Sequence, residues 1–295
     1  MLARYSPRLP QPYALTSNLS WSRMVLSHLL PFHALPFDGK PLAVSHTVSY
    51  LPSVNTLQFL PSSRRSTAAT ILAVGNPTGD LPAAEVEAHY VASLYGQPAL
   101  LGNQATEEAV RSRVTSRPLL HFATHGKLSA EAPLSSSIRL ANGEELTVYE
   151  LMGLHLDADL VVLSACETGR GEVTGGDDIV GLTRGLLAAG TRAALVSLWP
   201  VDDVSTSLFM GEFYRRLRAG EDAGDALRIA QNSLRTMDEA KRETALAETL
   251  VSATTSTRAA SAVRQFRLDE VSPPIVDYGH PYYWAPFVLI GRGWS

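Results

Sequence analysis

Cysteine is almost missing: Cys166 is the single one in 295 residues. One thiol closes no internal disulfide, so nothing in the chain asks for an oxidising compartment, and cytoplasmic is the default localisation. Long apolar runs are missing too. The most apolar stretch near the start, Met24 to Phe37, is interrupted by His28, Pro31, His33 and Pro36, and so it offers no membrane span. A charge excess of either sign is absent: 25 Lys and Arg against 29 Asp and Glu give −4, with a pI near 6.1. That balance argues against a nucleic-acid footprint across the whole surface. The imbalance is local. Before Thr70 six basic residues face Asp38 alone, giving +5, and the remainder is 19 − 28 = −9; such a skew reads as a solvated or tail-like segment. No helical repeat period occurs either, so any recruiting element is expected on a separate chain or in a missing N-terminal part.

What is present is organised around Asp159 to Gly176, DLVVLSACETGRGEVTGG. Leu160 to Leu163 is a short continuous apolar run, the signature of a strand buried on both faces of a parallel sheet. At its end stand Ser164, Ala165 and Cys166, followed by Glu167 and a glycine-rich stretch. In open parallel sheets ligands sit at the carboxyl ends of strands, which is where a nucleophilic thiol would be useful.

A second unit of the same form lies 166 − 125 = 41 residues upstream. Pro118 to Ala123 reads as a buried strand and is followed by Thr124, His125 and Gly126. If the two strands are neighbours in one parallel sheet, imidazole and thiol arrive on the same edge. His125 would then manage protons for Cys166. The N–H groups of Gly126 and Cys166 would form an oxyanion hole, the glycine leaving its peptide free to turn. Taken singly, the cysteine reads as a small buried hydrophobe and the histidine as a core or surface residue; the pairing at two strand ends favours a thiol peptidase site. A metal site at His121 and His125 is not expected, because ligands four apart suit a helix and this stretch looks extended. No cofactor is implied.

These residues resemble a known family. His121-Phe-Ala-Thr-His125-Gly126, Leu163-Ser-Ala-Cys166-Glu-Thr-Gly169, Gly175-Gly-Asp-Asp-Ile-Val-Gly-Leu182, Ser197-Leu-Trp-Pro-Val-Asp-Asp203 and the stretch from His280 to Gly291 look like the successive motifs of a CHAT domain, similar to caspases and separases. The resemblance runs from about Val25 to Gly291. It implies an α/β fold with a caspase-like, mostly parallel β-sheet, helices on both faces and a His/Cys dyad. It also implies an endopeptidase acting on protein or peptide substrates under an activating protein partner.

Along the chain, residues 1–20, rich in proline, are expected to be irregular, and 21–295 to form a single domain. Only Trp21 to Leu26 suits the opening strand. Lys40 to Tyr50 alternates as a half-buried strand, and Ile71 to Gly75 reads as a buried one. A helix over Ala83 to Tyr95 places Val86, Tyr90, Val91 and Leu94 inward and ends at Gly96. Strands and amphipathic helices then alternate, as a parallel sheet covered on both faces requires. Residues 238–272, with many Ala, Thr and Ser, read as a flexible insertion whose early part could extend a helix; arginines within it would suit an activation loop.

Specificity points to acids at the same sheet edge. Asp177, Asp178, Asp202 and Asp203 are the candidate substrate-pocket residues, and carboxylates there would favour Arg or Lys before the scissile bond. The plain alternative is helix capping, by Asp177 or Asp178 for the helix that follows and by Asp203 for the next one. The competing functional reading is a catalytically idle caspase-like module that binds partners through this cleft.

Overall fold

The computed structural model describes residues 18–22, 30–60, 70–115, 117–127, 129, 132–164, 176–253 and 277–293. Its centre is an eight-stranded sheet made of β1 (Asn18–Ser22), β4 (Thr47–Leu51), β5 (Ile71–Gly75), β6 (Leu100–Leu101), β7 (Leu119–Ala123), β11 (Leu160–Leu163), β12 (Ala193–Ser197) and β13 (Phe287–Gly291). The spatial order is β1-β4-β13-β12-β11-β7-β5-β6. Among the described pairings of this sheet only β12 with β13 is antiparallel. This is the α/β architecture with a mostly parallel sheet that the alternation predicts.

Strand side chains divide by parity between two cores, as a pleated strand buried on both faces must. Leu119, Leu160, Val162, Ala193, Leu195 and Leu289 pack toward one side with α1 (Pro82–Leu94), α5 (Asp203–Arg218) and α6 (Ala223–Arg235). Leu120, Phe122, Val161, Leu163, Ala194 and Val288 pack toward the other with α2 (Glu107–Val114), α3 (Val148–Leu154) and α4 (Gly176–Ala188). Helices therefore cover both faces. The start of α3 is held by a reciprocal cap in which Thr147 and Glu150 satisfy each other's backbone N–H groups. On the first face Phe209 stacks on Phe287 with ring centroids 3.8 Å apart, joining α5 to β13; burying a ring of this size contributes about 2 kcal/mol.

Three expectations need correction. Lys40 to Tyr50 is not one half-buried strand: β3 (Lys40–Pro41) pairs with β2 (Pro36–Phe37), a 3₁₀ turn follows at Leu42–Val44, and β4 is buried throughout because it lies inside the sheet between β1 and β13. The irregular N-terminal segment ends earlier than residue 20, since β1 begins at Asn18 and pairs in parallel with β4, Trp21 opposite Tyr50; residues 1–17 lie outside the described ones. The insertion at 238–272 is not flexible over its first half. Residues Glu239–Ala253 form α7, which buries Leu246 and Leu250 in the α1/α5 core and receives an Arg215–Glu248 ion pair at 2.7 Å. Its Ala- and Thr-rich composition masks that i, i+4 stripe. Residues 254–272, with the candidate activation-loop arginines, lie outside the described ones.

No helix among the described residues is long and apolar enough to cross a membrane.

Candidate active site

β7 and β11 are adjacent and parallel, with Val162 opposite His121 and Leu163 opposite Phe122. The offset is 162 − 121 = 41, the same number that separates Cys166 from His125. Ser164 continues the ladder by donating its N–H to the Phe122 carbonyl at 3.1 Å. Cys166 itself, with Ala165 and residues 167–175, lies outside the described residues.

His125 follows β7 directly. Its carbonyl accepts from Arg139 N–H at 2.9 Å, while Thr124 Oγ1 donates to the Arg139 carbonyl at 2.9 Å, so two bonds to one residue clamp the turn. Its ring is mostly buried, and Nε2 lies 3.0 Å from each oxygen of the Asp80 carboxylate. An ionised carboxylate only accepts, so Nε2 carries the proton in this contact. Burial pushes the Asp80 carboxyl up, but hydrogen bonds from the Thr78 hydroxyl and from His125 outweigh it and hold the group below its usual value.

Asp80 reaches His125 because the β5–α1 loop is pinned by Asn76. That residue adopts φ 48°, a left-handed conformation that asparagine tolerates. Its N–H donates to the Ala123 carbonyl at the end of β7, its side-chain oxygen accepts from Leu81 N–H, and its amide donates to buried Glu85. The sequence alone carries no signal for Asp80, which reads there as an ordinary turn acid.

Gly126 starts β8 (Gly126–Lys127), which pairs with β9 (Ser137–Arg139). Among the described residues a Cβ there would meet only the Ser137 carbonyl at 3.9 Å, and its φ is not positive. Neither packing nor backbone strain therefore explains the glycine.

The four candidate pocket aspartates separate. The cap expected at Asp203 falls one residue earlier: Asp202 is the N-cap of α5 and accepts from Ser205 N–H at 2.7 Å, so its carboxylate is engaged. Asp203 instead lines a cavity of about 70 Å³ together with Glu87, Ser164, Ser197 and Thr206. Asp177 and Asp178 lie in the first turn of α4, and their side chains lie outside the described ones. The cavity sits at the carboxyl ends of β11 and β12, on the α1/α5 side of the sheet. Trp199 Nε1 donates to the Tyr282 carbonyl at 3.1 Å and Tyr282 Oη donates to the Pro200 carbonyl at 3.2 Å, tying the chain after β12 to α8 (Pro281–Trp284).

Sequence reasoning missed Glu87. It is 4% exposed, and its Oε1 lies 3.1 Å from Nε2 of fully buried His121, although the two are not aligned as a hydrogen bond. His121 Nδ1 and Tyr214 Oη are 3.1 Å apart, and burial keeps the Tyr214 phenol protonated far into the alkaline range. A signal did exist: Glu87 falls at i, i+4, i+7 with Val91 and Leu94, on the apolar stripe of its helix.

Comparison with known proteins agrees with the motifs. The chain is 31% identical over 229 residues to Tetratricopeptide repeat protein 28 of Mus musculus, covering 60% of this chain and 9% of the relative. It is 32% identical over 225 residues to the Homo sapiens protein of that name, covering 59% and 9%. It thus spans under a tenth of the length of these relatives. Two crystal structures of the Saccharomyces cerevisiae separase–securin complex are similar at 15% and 16% identity, with TM-scores of 0.48 and 0.47. They cover 72% and 70% of this chain and 14% of theirs. The profile of the CHAT domain matches residues 5–292. The chain belongs to the CHAT domain family.

Proposed function

We propose that the chain is a cysteine endopeptidase in which Cys166 is the nucleophile and His125 its proton carrier. The observation that carries this reading is the register of β7 against β11, whose offset of 41 equals the spacing of the two residues. Asp80 on Nε2 orients the His125 ring, and the imidazole takes the thiol proton. The thiolate attacks the carbonyl carbon of a peptide, and the new oxyanion is held by the N–H groups of Gly126 and Cys166. Losing one such donor costs about 3 kcal/mol. The C–N bond then breaks as the imidazolium gives its proton to the leaving amine, and water hydrolyses the remaining thioester. The open space at Gly126 supports a substrate approaching that backbone.

The preferred residue before the scissile bond is basic. The cavity at the ends of β11 and β12, with Asp203 on its wall, supports that choice. The reading further includes a protein substrate, an activating partner, one domain over 21–295 and a cytoplasmic location, the last resting on the lone cysteine.

Purified protein offered short Arg- and Lys-containing reporter peptides tests the reading, with Cys166→Ala and His125→Ala as controls. Cleavage is expected from the wild type and from neither variant. Cleavage that survives Cys166→Ala removes the mechanism. A folded wild type that cleaves nothing even with its activator leaves the idle binding module as the better description.

A further inference from the structure

We infer that Glu87 is the specificity-determining charge of this site, its carboxylate receiving the basic side chain that precedes the scissile bond. The inference rests on the peptidase reading above and makes Glu87, rather than the exposed Asp202 and Asp203, the main source of selectivity. Two buried polar atoms on the wall of one cavity lack hydrogen bonds: Glu87 Oε1 and, on a residue 2% exposed, Ser164 Oγ. Buried acceptors without donors are rare in folded proteins and mark a place where a ligand supplies the missing groups. Here the missing groups are donors, and the wall that needs them is anionic.

The surroundings of Glu87 contribute little donation. With a carboxylate beside Nε2, His121 presents its N–H there and accepts the Tyr214 hydroxyl at Nδ1. That is one poorly aligned N–H against about four lone-pair sites of a carboxylate. Glu85, two residues earlier and equally buried, differs: Asn76 Nδ2 donates to it at 3.0 Å, so it is engaged in the loop anchor. Asp202 is consumed by its helix cap. Glu87 is the buried acid left facing the cavity.

Position completes the argument. Ser164 is two residues before Cys166 in sequence and Ser197 closes the neighbouring strand, so a side chain in this cavity lies beside the strand ends where the proposed chemistry occurs. Guanidinium and ammonium groups offer several donors and a positive charge, and a carboxylate with 4% exposure attracts them in a medium far less screening than water. A neutral side chain of the same shape would gain neither the charge nor the full set of bonds.

Binding and cleavage together test this. Titration calorimetry of agmatine, an arginine side chain on a small amine, is run against Cys166→Ala and against Cys166→Ala/Glu87→Gln. In parallel, wild type, Glu87→Gln and Glu87→Asp cleave peptides differing only by arginine or its neutral isostere citrulline. We expect agmatine affinity to fall ~10-fold or more with Glu87→Gln. The arginine preference should collapse in Glu87→Gln and persist in Glu87→Asp. Unchanged agmatine affinity or unchanged arginine preference in Glu87→Gln overturns the assignment and leaves the peptidase reading intact. Equal cleavage of arginine and citrulline peptides by the wild type overturns it without any variant. Glu87-dependent agmatine binding in a protein that cleaves nothing keeps the pocket and removes the peptidase.

Discussion

Asp80 and His125, 45 positions apart, meet through both carboxylate oxygens at 3.0 Å from Nε2. The contact fixes which ring nitrogen carries a proton, and it depends on Asn76 folding the β5–α1 loop over the end of β7. It orients a mostly buried imidazole through a largely exposed carboxylate.

Replacing Asp80 by Asn should therefore separate function from stability. The carboxylate is 63% exposed, and exposed pairs contribute roughly 0–1 kcal/mol, so the unfolding midpoint should barely move. The kcat should fall about 10- to 100-fold with KM little changed, because only the proton-handling geometry is lost. The Asp80 value lies below its usual one, so the wild-type contact persists as pH falls past the ordinary carboxylate range and is lost only on passing the depressed value. Stopped assays over a pH series, compared with thermal melts, check both halves.

A dyad has a signature that needs no substrate. An imidazolium beside Cys166 should make the thiol react with iodoacetamide well below the free-cysteine pKa of about 8.5. In His125→Ala the alkylation profile should move up to that ordinary value. Mass spectrometry of the single cysteine reads this cleanly.

His33 should set an acid limit on the fold. Complete burial lowers its pKa from 6.5 to about 4, and Nδ1 sits 3.2 Å from Tyr50 Oη. The unfolded chain binds this proton more readily, so the stabilisation from neutral His33 is full above about 6.5 and is lost as pH falls toward 4. The loss is on the order of 3 kcal/mol. Urea unfolding at several pH values should show that slope, reduced in His33→Gln.

Two glycines at strand ends should behave oppositely. A Cβ on Gly75 would lie 2.6 Å from Ala88 Cβ and 2.8 Å from the Ala84 carbonyl, pushing α1 off β5. Gly75→Ala should cost about 1–3 kcal/mol in urea unfolding. Gly126→Ala meets nothing closer than 3.9 Å and should unfold like the wild type. If the Gly126 peptide holds an oxyanion, that same variant should lose activity by about 100-fold, the scale of a disturbed donor.

Most of the central strands, the alternation of helices and strands, and the residue types at the two strand ends are legible in the chain itself. Hydrophobic period and local residue type control them, and both are local properties. Leu160 to Leu163 reads as a buried strand and is one, and the helix read over Ala83 to Tyr95 is α1 (Pro82–Leu94). The α7 helix is legible only as a possible helical extension, because few of its apolar positions reach the core and the rest of the segment is Ala, Thr and charged residues. Which strands pair, and in what register, is a long-range matter: the 41-residue offset acquires meaning only when β7 lies beside β11. The same holds for the acids. Asp80, Asp202, Asp203 and Glu87 are equivalent carboxylates on paper, yet one orients an imidazole, one caps a helix, one lines a cavity and one is buried against His121. Burial and neighbours decide what a carboxylate does, and neighbours distant along the chain exist only once it has folded.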